Sequence, residues 1–184
     1  MGYSSVQEKT KGDRMMESYM LKKAELNQLP AAMELINDGK QYLKEQGSDQ
    51  WQTGYPDEAD ILEDIRQGKG YFVTDGTQPL AYLCVDFEGE PAYAQIKGKW
   101  LTDGSSYGVV HRLSAGKASR GKGISEAVFH LAEELCRSRG VRSMWADTDE
   151  KNGIMQHILE KNGFCLCGTI WFAGGDKLAY EKVL

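Results

Sequence analysis

The sequence predicts an α/β protein with a mixed, mostly antiparallel sheet flanked by helices. Short apolar runs of strand character alternate with segments whose apolar residues recur at helical spacing. In addition, several neighbouring strand runs are separated only by short, turn-rich segments, which is typical of antiparallel hairpins. These two patterns together predict the fold class.

The first half of the chain predicts one strand, two helices and a hairpin. The first helix has Pro30 in its first turn, where proline is tolerated, and Gly47 marks its end. Segment 75–79 (DGTQP) is a turn signal between two strand runs. The predicted elements are a strand at 19–26, helices at 27–47 and 56–68, and strands at 70–74 and 80–87.

The second half alternates more regularly between strands and helices. Segment 88–106 shows no clear period, and we interpret it only as an excursion at a strand edge. The predicted elements are a strand at 107–115, a loop at 119–125 with a helix to 139, a strand at 141–148, a helix at 152–161, and a closing hairpin of 164–171 and 178–183. The order is therefore β-α-α-β-β-β-α-β-α-β-β.

Length and composition narrow the class of protein. The 184 residues suit one domain, at 19–184, after a flexible extension at 1–18. No apolar run is long enough for a membrane span, and a net charge of −5 lacks the basic footprint of a nucleic-acid-binding protein. The 4 cysteines predict free thiols and a cytoplasmic location. No cluster of ligating residues has metal-site spacing, so no metal is predicted.

The most informative segment is the loop at 120–125 (RGKGIS), between a predicted strand and a predicted helix. A helix N-terminus presents unpaired N–H groups and a partial positive charge, which suit an anion. Gly121 and Gly123 let the backbone approach a ligand closely, and Arg120 and Lys122 add full positive charges. These features predict a pyrophosphate site. The alternative is a tight strand-to-helix turn with no ligand.

This segment and its surroundings resemble the GNAT N-acetyltransferase superfamily. The R/Q-x-x-G-x-G/A signature of that family matches Arg120, Gly123 and Ser125, with Ser125 in place of the usual glycine or alanine. Segments 109–113 and 147–164 are similar to the strands and helices on either side of the family's coenzyme A site, and 179–182 is similar to its closing strand.

The resemblance implies acetyl transfer from acetyl-CoA to a primary amine of a small molecule or a protein. It implies that the backbone of the strand residues Leu113 and Ala115, beside the cleft, pairs with the pantetheine arm, and that the loop holds the pyrophosphate. It also allows a homodimer through edge or C-terminal strands. The residues implied to bind the cosubstrate are Leu113, Ser114, Ala115, Arg120, Gly121, Lys122, Gly123, Ile124, Ser125 and Asn152.

The catalytic residues are less directly marked. Many family members carry a tyrosine acid at the position that Leu159 occupies in this chain. His111, on the strand beside the cleft, is the predicted base because imidazole titrates near neutral pH. The alternatives are a buried structural histidine at this position, or proton removal through ordered water.

Two aromatic residues, Trp51 and Tyr55, are predicted to face the acceptor, where their rings would contact a cation. The alternative is that they cap the core beneath their loop. Trp145 and Trp171 are predicted instead to pack in or beside the sheet. The sequence does not distinguish among an aminoglycoside, a polyamine, an amino acid and a peptide N-terminus as the acceptor. A second function stays open, that of a non-catalytic module that binds or senses acyl-CoA.

Overall fold

The computed structural model describes residues 18–184, and the predicted extension at 1–18 lies outside them except for Ser18. An eight-stranded sheet forms the centre of the molecule, in the order β1-β2-β3-β5-β6-β8-β7-β4. Only β5 and β6 run parallel, so the predicted fold class is confirmed. The strands are β1 (Met20–Lys23), β2 (Gly70–Thr74), β3 (Pro79–Asp86), β4 (Lys97–Gly98), β5 (Gly108–Ala115), β6 (Ser143–Thr148), β7 (Cys165–Phe172) and β8 (Gly175–Val183).

The predicted four helices are all present and end where the sequence indicates. They are α1 (Leu29–Glu45), α2 (Glu58–Arg66), α3 (Ile124–Ser138) and α4 (Gly153–Lys161). A glycine with a positive φ lies two residues after the last residue of each helix, and it ends the helix without the clash that a Cβ would introduce. At the start of α2, Asp57 and Asp60 form a reciprocal capping box.

The helices cover both faces of the sheet. Successive strand residues point to opposite faces, and β2 illustrates the result. Tyr71 and Val73 belong to the core under α3 and α4, whereas Phe72 belongs to the core under α1 and α2. On β6, Met144 faces α3, while Trp145 faces a third cluster under segment 88–106.

Segment 88–106 contains a short 3-10 helix, Pro91–Gln95, and the edge strand β4, which pairs with β7. Trp100 and Tyr107 stack on the two sides of Trp145, each with a centroid distance of 3.7 Å. The buried Glu181 carboxylate accepts hydrogen bonds from the N–H groups of Leu101 (2.5 Å) and Thr102 (3.2 Å). These long-range contacts, rather than a local period, hold the segment, which explains why its strand was not assigned.

Two further sequence-based expectations are corrected. The first helix begins at Leu29 instead of directly after Asn27, because Asn27 lies in a 3-10 turn closed by Glu25 and Gln28. Trp171, predicted to pack in or beside the sheet, is 64% exposed. Among the residues from 18 onward, no helix is both long and apolar enough to cross a membrane.

Candidate functional site

A cavity of about 750 Å³ opens where β5 and β6 stop pairing. Their parallel ladder covers only Gly108–Val110 and Met144–Ala146, although β5 continues to Ala115 and β6 to Thr148. The backbone edges beyond the ladder border the cavity. One end of the cavity, the loop end, is lined by residues 113–115, 120, 121, 124 and 125 and carries the rest of the loop at 120–125 beside it. The other, the Asp147 end, is formed by Tyr55, His111, Arg112, Asp147 and Lys177.

The loop end has the geometry that an anion requires. Gly121 and Gly123 both have φ of +72°, a conformation that side chains with a Cβ rarely adopt. Gly123 is the N-cap of α3 and provides no side-chain acceptor for the first N–H groups of the helix. Those N–H groups therefore stay available to a bound anion. Gly121, Ile124 and Ser125 line the cavity.

Arg120 lies in the cavity wall and also fastens the loop. Its guanidinium donates to the carbonyl oxygens of Ala115 (3.1 Å) and Asp38 (2.6 Å), and it lies 4.4 Å from the ring centroid of Tyr42. Part of its hydrogen-bonding capacity is thus used within the protein. Lys122 is exposed and lies outside the cavity lining. At this end it is the lysine, rather than the arginine, whose charge is free to follow a ligand.

The β5 edge presents backbone rather than side chains. The Ser114 side chain is buried and its hydroxyl donates to the carbonyl of Leu35 on α1, at 2.5 Å. Gly39 makes this close approach possible, because an added Cβ would lie 2.3 Å from the Ser114 hydroxyl oxygen. Ser114 therefore ties β5 to α1. Leu113 and Ala115, on either side of Ser114, also line the cavity and are partly exposed.

Asn152 links helix α4 to the loop between α1 and α2. As the N-cap of α4, its side chain accepts a hydrogen bond from the N–H of Met155 (3.1 Å). Its amide group also donates to Gln50 (2.9 Å), in the loop between α1 and α2. The side chain thus holds this loop against α4, in addition to lining the cavity.

A buried charged network shapes the Asp147 end. Arg112, at the bulge of β5, forms a two-point ion pair with Asp64 of α2 and donates to the Tyr55 hydroxyl at 2.7 Å. Burial alone would lower the pKa of Arg112, but the hydrogen bonds to Asp64, together with the charges of Tyr55, Asp64 and Cys84, raise this pKa overall. Burial raises the pKa of Tyr55 to about 12, against the opposing effect of Arg112. Both side chains therefore keep fixed protonation states.

Asp147 is the functional candidate that sequence reasoning missed. It lies on β6 directly after the ladder ends, and its carboxylate accepts a hydrogen bond from the Tyr93 hydroxyl at 2.7 Å. Burial raises the pKa of Asp147 to about 6, although Tyr93 and the charge of Lys177 act in the opposite direction. A carboxylate in a cavity with a pKa close to neutral pH suits proton transfer. The available signal was an aspartate within the apolar run 143–148.

His111 lines the cavity but is buried, between the rings of Phe172 (centroid distance 5.9 Å) and Tyr93 (6.3 Å). Burial, assisted by the charge of Arg112, lowers the pKa of His111 to about 3. The imidazole is therefore neutral at physiological pH. At such a low pKa it is a much weaker proton acceptor than the Asp147 carboxylate.

The remaining predicted residues divide between the cavity and the core. Trp51 and Tyr55 line the cavity together, and Trp51 also packs against the core under α1 and α2. Both of the alternatives considered for Trp51 thus describe part of its environment. Leu159 is 1% exposed and also contributes to the cavity wall. It offers no proton donor at this position.

Comparisons with known proteins agree with this geometry. The chain matches the model of the "Acetyltransferase (GNAT) family" over residues 35–164. A curated relative, the chloroplastic GCN5-related N-acetyltransferase 6 of Arabidopsis thaliana, is 28% identical over 95 residues, which cover 51% of this chain and 33% of that protein. The match thus spans only about a third of the length of that relative.

Two solved structures extend the comparison. A GNAT-family acetyltransferase of Streptococcus agalactiae is 32% identical, with a TM-score of 0.82 and coverage of 90% of this chain and 95% of the other. The PaiA N-acetyltransferase of Thermoplasma acidophilum, solved with coenzyme A, is 13% identical, with a TM-score of 0.66 and coverage of 90% and 99%, which shows the shared fold. The family match covers more than half of the chain, and this protein therefore belongs to the acetyltransferase (GNAT) family.

Proposed function

We propose that this protein transfers an acetyl group from acetyl-CoA to a primary amine of a small molecule or a protein. The observation that supports this best is the cavity itself: uncapped N–H groups of a helix lie at one end, and a carboxylate with a raised pKa lies at the other. Family membership supports acyl transfer from a coenzyme A thioester in general, and the amine is the part that we add.

The loop end is proposed to hold the cosubstrate. The first N–H groups of α3 and the charge of Lys122 would bind the pyrophosphate. The backbone of Leu113 and Ala115, which has no partner strand on the side of β6, would pair with the pantetheine arm as an added strand does. Arg120 would keep the loop in its conformation through Ala115 and Asp38.

The Asp147 end is proposed to hold the amine and to accept one of its protons. An alkylammonium ion would pair with the Asp147 carboxylate and lose one proton to it. The freed nitrogen would form a bond to the acetyl carbon while the carbon–sulfur bond breaks. The departing sulfur would take a second proton from the nitrogen and leave as the thiol. The proton on Asp147 would then pass to solvent, so that the products are an amide, coenzyme A and one proton.

The sequence-based prediction for His111 is kept as the alternative base. Its pKa of about 3 makes it a weak acceptor, so we propose that its main contribution is to shape the wall beside Phe172. Trp51 and Tyr55 are proposed to contact the acceptor. The cytoplasmic location, the homodimer and the absence of a metal stay predictions.

A second candidate function is favoured by one specific observation. Leu159 is an apolar residue at the position where the family often places a tyrosine acid, as expected if the chain binds acyl-CoA without turning it over. In that case the loop end would be retained and the Asp147 end would not act on an amine.

The experiment combines calorimetry with acetyl-CoA and an assay of thiol release against a panel of amines. The panel contains an aminoglycoside, a polyamine, free amino acids and a peptide with a free N-terminus. We expect binding of acetyl-CoA and amine-dependent thiol release with at least one class. Binding without release for every amine would favour the sensing module. An absence of binding would overturn the proposal.

A further inference from the structure

Thr148 is the last residue of β6 and is fully buried at the edge of the cavity. Its backbone pairs with Leu178 on β8. Since strand residues alternate between faces, its side chain shares a face with Ala146 and Met144, which contact the core under α3 and α4. Thr148 thus borders the cavity from the face of the sheet that α3 and α4 cover.

The Thr148 hydroxyl has no hydrogen-bond partner. Among residues 18–184 it is the one buried side-chain polar atom in this condition. Buried hydroxyl groups almost always have a partner, because leaving one unsatisfied costs stability. The part of the cavity wall that α4 contributes through Met155, Ile158 and Leu159 is apolar. No residue from 18 to 184 supplies the missing partner, so a ligand that enters the cavity is the candidate for it.

From this orphaned group we infer that the Thr148 hydroxyl donates a hydrogen bond to a carbonyl oxygen of the bound acyl-pantetheine arm. The inference rests on the proposed function, because that arm is the ligand expected in the gap between β5 and β6. The arm carries amide carbonyls and the thioester carbonyl, and the apolar side chains of α4 would not set the position of these groups on the side of β6. One hydroxyl at a fixed point on β6 sets that position.

The matched variants are Thr148→Val and Thr148→Ser. Valine keeps the shape of threonine and removes the hydroxyl, whereas serine keeps the hydroxyl and removes a methyl group. Without acetyl-CoA we expect Thr148→Val to be at least as stable as the wild type, because it removes an unsatisfied buried group. With acetyl-CoA we expect the affinity or the kcat of Thr148→Val to fall by about three- to tenfold, which is the usual effect of one neutral hydrogen bond. Thr148→Ser should retain most of the wild-type affinity and kcat.

The kinetic parameter that changes identifies the carbonyl. If the dissociation constant for acetyl-CoA rises and kcat is unchanged, the hydroxyl contacts a pantetheine amide carbonyl. If kcat falls and the affinity is unchanged, the hydroxyl contacts the thioester carbonyl. Measurements are thermal unfolding of the free protein, calorimetry with acetyl-CoA and thiol release.

Two results would overturn the inference while the proposed function stands: wild-type affinity and kcat in Thr148→Val, or a clear loss of stability of that variant in the absence of acetyl-CoA. Failure of the wild-type protein to bind acetyl-CoA would instead overturn the proposed function, and this inference with it.

Discussion

At the loop end of the cavity, one short segment, 120–125, supplies the N–H groups, the glycines and the charges of the site. The Asp147 end is different, since Tyr55, Arg112, Asp147 and Lys177 come from four separate parts of the chain. Arg112 reaches Asp64 across 48 positions, and Tyr93 reaches Asp147 across 54. The first end depends on local backbone conformation and the second on long-range packing, so the two should respond differently to substitution.

The largest effect is expected from Asp147→Asn, which removes the proposed proton acceptor and keeps the shape of the side chain. We expect kcat/KM to fall by about 10²–10⁴-fold, the usual range for a general base. The affinity for acetyl-CoA should not change, because the loop end is intact. Steady-state kinetics and calorimetry on the same preparation test both statements. His111→Gln is the matched comparison, and a larger loss there than in Asp147→Asn would assign the base to His111 instead.

The pH profile sharpens this prediction. Since the pKa of Asp147 is about 6, kcat/KM of the wild type should fall below that pH, where the carboxyl group is protonated. The hydrogen bond from Tyr93 lowers this pKa, so Tyr93→Phe should raise it and move the acidic limb to higher pH. An unchanged limb in Tyr93→Phe would mean that a different group titrates.

Asp64→Asn should give the next largest effect, on stability. It leaves the buried Arg112 charge without its partner, which costs about 3–5 kcal/mol, or roughly 6–20 °C in Tm for a chain of this size. Calorimetric or fluorescence melting measures the change. Lys161→Gln is the control, because it breaks a pair with Glu126 in which both side chains are partly exposed, and such pairs contribute less than about 1 kcal/mol. Equal shifts in the two variants would contradict the view that the Asp147 end rests on a buried charge network.

Gly123→Glu tests the loop end. It places a negative charge where the pyrophosphate is expected, and like charges in an interface cost several kcal/mol, so the dissociation constant for acetyl-CoA should rise by about 100-fold or more. Gly123→Ala is the control for backbone strain, because φ at this position is +72° and any Cβ is disfavoured there. A similar loss of affinity in both variants would indicate strain rather than charge.

The smallest effect is expected from Asn152, which links α4 to the loop between α1 and α2. Asn152→Ala removes the N-cap of α4 and should cost about 1 kcal/mol. Asn152→Asp keeps the cap acceptor and loses the donor to Gln50. We expect Asn152→Asp to melt close to the wild type but to have a higher KM for the amine, because the loop of Trp51 is no longer held against α4. If both variants lose only stability, the contact with Gln50 does not position the acceptor.

The elements that local patterns specify were predictable. The glycines that end the helices and the hairpin of β2 and β3 lie where the sequence indicates, since turn conformation and helix termination depend on a few neighbouring residues. The segment 88–106 was not assigned, because its conformation depends on Trp145 and Glu181, which are distant in sequence. Trp171 was placed wrongly for a related reason: its exposure depends on which elements cover β7.

The candidate site follows the same division. The loop at 120–125 was identified from its residues, and the structure adds that Arg120 is partly engaged by carbonyl oxygens of the protein. Asp147 was missed, because a single aspartate in an apolar strand run is only a weak local signal. Its pKa is raised by burial, which depends on elements distant in sequence, whereas Tyr93 and Lys177 lower it.

By itself, the sequence determined the alternation of strands and helices, the family resemblance and the position of the candidate anion-binding loop, because each rests on short-range patterns along the chain. Only the tertiary structure decided which charges are paired, that Asp147 has a pKa near neutrality and which buried hydroxyl in the described part of the chain, that of Thr148, lacks a partner. These properties depend on burial and on the distances between residues far apart in sequence. Such distances are defined only once the sheet has assembled and the ladder between β5 and β6 has ended at Val110 and Ala146.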